Sequence, residues 1–210
     1  MRSLLIVFLC LLALGAAGCA DPTKDKPKAA VDEPRPEPER PADARRFVIV
    51  PEESSIGFVG SKVTGSHDGG FRAFEGEILV VDDDPLQSSV SVEIDVNSMW
   101  TDTDKLTAHL KSPDFFDAET YPKASFASTQ VQQVEEGYRL VGNMTMHGIT
   151  KSISIPADIG IAEDRVTASS EFAIKRFEFD IEYPGRPDDL IRDDVLIKLN
   201  LVAVPAEAAE

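Results

Sequence analysis

Cysteine is nearly absent from this chain: Cys10 and Cys19 are the only two. One lies inside an apolar run near the start, so no disulfide framework is available and packing must hold the core. Basic residues are few beside acidic ones, 21 Lys and Arg against 37 Asp and Glu, for a net charge of −16. No basic block relieves that balance. It excludes nucleic acid as a partner, and it excludes an anionic membrane bound through charge. Of the three histidines, His67, His109 and His147, no two stand at the spacing typical of metal sites. There is no Gly-x-Ser-x-Gly elbow, and a chain processed at Cys19 keeps no internal thiol nucleophile. The many acids mostly alternate outward on strand-like segments, where solvation explains them better than paired catalytic carboxylates. Neither an enzyme nor a metal or cofactor site is expected. Long apolar runs are missing too. Leu4–Leu14 covers about 11 residues, short of the roughly 20 needed to cross a bilayer.

That short run, preceded by Arg2, suits a secretory leader. It ends in Ala16-Ala17-Gly18-Cys19. Small residues directly before a cysteine resemble a bacterial lipoprotein processing site, at which the cysteine becomes the acylated first residue. Ala16 stands where leucine is usual. An ordinary leader with an incidental cysteine is the alternative. The expectation is a lipoprotein-type signal peptide over 1–18 and lipidation, by palmitate or similar chains, at Cys19. The anchored domain would face the periplasm or the cell surface. Ala20, where an Asp would signal inner-membrane retention, points to the outer membrane.

Residues 19–45 interleave Pro22, Pro27, Pro34, Pro36, Pro38 and Pro41 with charged residues. Such a stretch buries too little apolar surface to offset its ordering entropy, and its prolines keep it extended. It reads as a disordered tether holding a folded domain, 46–206, off the membrane, with a short tail at 207–210.

Within 46–206 the apolar period is two, the mark of half-buried strands. Ile56, Phe58 and Gly60 share a face, as do Phe74, Gly76, Ile78 and Val80. Val90, Val92, Ile94 and Val96 alternate with polar residues, and further on so do Val166–Ile174 and Val195–Leu201. Phe126 with Ser128, Leu140 with Met144, and Ile153 with Ile155 supply three more segments. Between the strands Thr103–Lys111 forms a short helix, stopped by Pro113. Phe115 and Phe116 follow in a turn, at least one of them plugging the end of the core. About eight antiparallel strands tend to close on themselves and remove their edges. The predicted fold is all-β, an eight-stranded antiparallel barrel with a helical insertion, and a two-sheet sandwich fits the same period. Gly60, Gly76, Ser128, Gly142, Ala168 and Ser170 thin the inward faces. They leave a cavity along the core or mark bends in the strands.

Several stretches resemble the YceI-like family of bacterial lipid-binding proteins. They are Gly69–Gly76, His109–Asp117 with Tyr121–Phe126, Val141–Lys151, and Lys175–Phe179 with Asp193–Val195, in family order. The resemblance implies a lipocalin-like barrel of the periplasm holding a long apolar chain, typically a polyisoprenoid, in its lumen. The anchor and long tether depart from the family pattern. The lumen is expected to be lined by Phe58, Phe74, Ile78, Val92, Ile94, Phe116, Phe126, Leu140, Met144, Ile155, Ala168, Phe172 and Ile174. Its ligand would be a polyisoprenoid, a quinone or a fatty-acyl-like lipid, for carriage, sequestration or storage. Arg176 either meets a ligand head group or braces a loop by pairing with Asp180 or Glu178. The competing function is a packed barrel that docks onto an envelope complex.

Overall fold

Alternating apolar and polar residues become strands along most of the folded chain. The structure, a computed structural model, describes residues 21–39 and 41–206. The expected leader, Cys19 and the tail at 207–210 lie outside the described residues. In chain order come β1 (Ala30–Asp32), β2 (Arg45–Ile49), β3 (Ser55–Lys62), β4 (Gly65–Phe71) and β5 (Phe74–Val81). Then follow β6 (Asp84–Asp95), β7 (Met99–Thr101), α1 (Asp104–Lys111), β8 (Lys123–Gln133) and β9 (Tyr138–Met146). The rest are β10 (Ile149–Ile161), β11 (Val166–Lys175), β12 (Gly185–Arg186), β13 (Asp189–Leu190) and β14 (Asp194–Pro205).

Eight strands close a ring in the order β2-β5-β6-β8-β9-β10-β11-β14, and β14 pairs again with β2. Every pairing in it is antiparallel, so the barrel has no free edge around its waist. Tight turns make the hairpins. His147 and Gly148 (φ 52° and 75°) link β9 to β10, and Asp82 and Asp83 (φ 51° and 56°) link β5 to β6, the left-handed pairs that match strand twist.

One end is solid and the other is not. At the solid end β2 lies between β14 and β5, with Phe47 directly opposite Ile78. Phe47, Ile49, Ile78, Val80, Val166 and Ala203 are buried there as one cluster. At the other end β14 pairs with β3 instead of β2, and β3 pairs with β4, which pairs with β7. Over that end lie α1, the loop after it, and the excursion from Arg176 to Asp193.

The expected tether over 19–45 needs correcting. Residues from Asp21 to Arg35 are docked on the barrel. Beyond Asp158–Ile161, paired with Val166–Ser169, β10 and β11 no longer pair with each other. The N-terminal segment fills that slot. Ala173 N donates to Pro27 O and Ala29 N donates to Ala173 O, both at 2.8 Å. On the other side β1 pairs with Ser152–Ser154 of β10. Ala29 and Val31 pack against the cluster containing Ile153, Ile155, Phe172 and Ile174. Thr23 is buried, and Lys26–Glu171, Lys28–Asp194, Lys151–Glu33 and Arg192–Asp21 pairs fasten the outside. The composition argues for disorder only while the segment is taken alone. The unpaired edges of β10 and β11 supply the backbone partners it lacks.

Candidate functional site: an apolar cavity in the barrel

Inward residues of a filled barrel are buried. Here many are not: Phe126, Leu140, Met144, Ala168, Ser170, Ile197 and Leu199 face inward yet stay half-buried. They border a cavity of about 690 Å³, within the roughly 300–1,000 Å³ that holds one small ligand. Of the residues expected at the lumen, Phe58, Val92, Ile94, Phe116, Phe126, Leu140, Met144, Ile155, Ala168, Phe172 and Ile174 line it. Phe74 and Ile78 do not. They belong to the packed cluster at the solid end. The period-two reading did not recognise β2 as a strand, and β2 is what fills that end.

Other lining residues were missed. Val195, Ile197, Leu199 and Leu201 come from β14, and the alternation that marked this strand also marked their face. Leu106 and Leu110, on one side of α1, reach the cavity from above. Phe115 is buried, and Phe116 beside it lines the space, so the paired rings do close the core end. The thin residues divide. Gly60 and Ala168 line the cavity, and a Cβ on Gly60 would meet nothing within 4 Å. Gly142 instead makes room for the Phe126 ring, 2.3 Å from where its Cβ would be, and Gly76 for the Ile49 methyl at 2.8 Å. Ser128 sits at a register shift in β8, its Oγ accepting from Val90 N at 2.9 Å.

The polar groups gather at the mouth. Lys62, His67, Lys105, Arg186 and Asp189 border it. Lys62 pairs with Asp189, which also accepts from Thr64 Oγ1 at 2.9 Å. Those bonds, Lys62 first, hold the Asp189 carboxyl below its ordinary value. His67 Nδ1 is 2.9 Å from Asp102 Oδ1. His109 Nε2 is 3.0 Å from Asp114 Oδ2, and its ring stands edge-on to Phe115 and Tyr183. His147 Nδ1 is 3.1 Å from Phe179 O. Arg176 is buried, lines the cavity and braces a loop, though not through Asp180 or Glu178. Its guanidinium donates to the carbonyls of Arg192 (3.1 Å), Ile191 (3.4 Å) and Ile181. Burial lowers its pKa, and the nearby Asp193 carboxylate opposes that. Among the described residues no three His, Cys, Asp or Glu side chains are gathered to hold a metal ion, and no helix is long and apolar enough to cross a membrane.

A barrel with one solid end, an apolar lumen and a polar mouth is built to enclose an apolar molecule. The sequence profile of the YceI-like domain matches residues 47–203. The chain belongs to the YceI-like family. Its lumen and all but the outer ends of β2 and β14 lie within that domain, and the docked segment at 21–35 precedes it. A UPF0312 protein of Photorhabdus laumondii is 32% identical over 119 residues, 53% of this chain and 62% of that one. One from Yersinia enterocolitica is 34% identical over 91 residues, 43% and 47% of the two chains. The match thus spans less than two thirds of either relative. Among solved structures, BcnA of Burkholderia cenocepacia superposes with a TM-score of 0.65 at 23% identity, covering 74% of this chain and 99% of that one. A polyisoprenoid-binding domain from Saccharophagus degradans gives 0.61 at 16%, covering 78% and 99%. At these identities the likeness is one of fold.

Proposed function

We propose that this YceI-like chain is a non-catalytic binding protein of the cell envelope, anchored through Cys19, that holds one long apolar ligand in its barrel. The observation that carries the reading is the cavity of about 690 Å³, whose walls are mostly aliphatic and aromatic, with Lys62, Lys105, Arg176, Arg186 and Asp189 as its charged lining residues. Water gains few hydrogen bonds in such a space, so an apolar chain entering it is favoured. The polyisoprenoid bound by the Saccharophagus degradans domain supports a polyisoprenoid, quinone or fatty-acyl-like ligand here, kept for carriage, sequestration or storage. The apolar run ending at Cys19 supports the anchor, and Ala20 the outer membrane. An unfilled lumen argues against the competing module with a packed core.

Organic extraction of protein purified from membranes, followed by mass spectrometry, tests the reading. A stoichiometric apolar lipid is expected. Protein that yields none, and that also fails to take up a fluorescent fatty acid, overturns it.

A further inference from the structure

Four large hydrophobic residues are exposed among those described: Val63 (59%), Leu190 (51%), Phe177 (45%) and Leu86 (46%). Leu86 belongs to β6 just past the β5–β6 turn, at the solid end. The other three are chain neighbours of cavity-lining residues: Val63 follows Lys62, Leu190 follows Asp189, and Phe177 follows Arg176. Val63 N donates to Leu190 O at 3.3 Å. Phe177 N donates to Asp193 Oδ1 at 3.0 Å, three residues along the same excursion. Arg176 ties that excursion down through the carbonyls of Ile181, Ile191 and Arg192, so Phe177 and Leu190 are held outward by a braced loop. Charges beside them are paired with one another: Lys62 with Asp189, Arg192 with Asp21, Lys28 with Asp194. The same excursion also exposes Glu178, Asp180, Glu182 and Asp188, an acidic excess that disfavours an anionic bilayer surface and leaves a zwitterionic one.

The described chain begins at the same place. Asp21 Oδ2 is 3.2 Å from Arg192 Nη1, and Cys19 is two residues earlier, a reach of at most about 7 Å. The chain read as a spacer is consumed along the barrel wall and leaves no slack.

We propose that the mouth of the barrel rests on the bilayer that holds the Cys19 anchor, with Val63, Phe177 and Leu190 entering the interface. Ligand then passes between lumen and bilayer without crossing water. The passage of ligand rests on the ligand binding proposed above, and the docking rests on the Cys19 anchor proposed there.

Two readouts separate them. Cys19 is the sole thiol of the chain from Cys19 onward, so that chain can be coupled to a maleimide lipid in phosphatidylcholine vesicles whose acyl chains carry bromine. Trp100, the single tryptophan, gives a constant background. Phe177→Trp should add emission that is blue-shifted and quenched by bromine, and Leu86→Trp emission that is not. Equal quenching of the two, or none at Phe177→Trp, overturns the docking. The second readout is release of a bound fluorescent fatty acid to the vesicles. Inserting a 20-residue Gly-Ser linker before Asp21 gives about 25 Å of slack and should slow release roughly tenfold. An unchanged rate overturns transfer through a docked mouth. If no variant binds the probe, the carrier reading fails, and the quenching still decides the docking.

Discussion

Gly142 and Gly60 face the same interior and do opposite jobs. A methyl group at Gly142 would strike the Phe126 ring at 2.3 Å and the Ala127 carbonyl at 2.6 Å, the latter a backbone atom that cannot swing aside. Gly142→Ala is expected to cost about 1–3 kcal/mol, read as a lower denaturation midpoint at unchanged slope. Gly60→Ala, with open space around it, should leave that midpoint in place. Ala168 tests the lumen directly. It borders the cavity and lies opposite Leu201 on β14. Ala168→Trp should place its ring in empty space, keeping the melting temperature near that of the parent while displacing or shortening the co-purifying lipid. A loss of roughly 1–3 kcal/mol from overpacking would show a filled core. A stable variant with its full lipid load would show that position 168 does not meet the ligand.

The docked segment is the element whose behaviour depends most on conditions. Hydrogen bonds from the Thr23 hydroxyl and amide hold the Asp21 carboxyl below its ordinary value. A depressed carboxyl contributes stability that is present above its unfolded value, about 3.9, and is lost as pH falls through the folded one. Asp189 shifts in the same direction. Acid below about pH 4 should therefore loosen the segment and the mouth before the ring of strands. Hydrogen exchange would then rise first at Ser152, Ser154 and Ala173. Val31→Asp should produce the same local opening at neutral pH; uniform exchange across the barrel in either case would count against a separately opening strand. The elements differ in how plainly they can be read. β6, β11 and β14 show in the sequence because one face meets water and the other the lumen. β4 runs Gly-Ser-His-Asp-Gly-Gly-Phe and carries almost no apolar signal. Two of its glycines, Gly69 and Gly70, make room for the rings of Phe58 and Trp100 from neighbouring strands. β1 was hidden for a different reason: its partners lie more than a hundred residues away, and nothing local announces a slot.

At the scale of the whole molecule, the proposed anchor makes Cys19 the residue that decides where the protein resides. Cys19→Ser is expected to leave the barrel folded and move it from the membrane to the soluble fraction. One acyl chain alone binds marginally, and several hold stably. A variant that stays fully membrane-bound would mean that the apolar rim, and not an acyl anchor, holds the protein in place. The side wall has a consequence for assembly. Its filler, β1, is made before any strand of the ring, and its partners Ser152–Ser154 and Ala173 come near the end. Contacts this distant in sequence form late. During folding the barrel therefore stays slotted along one flank until β11 is in place, and the segment made first is the last to be seated. A lipid bound in that interval would enter sideways, through an opening that the finished protein no longer has.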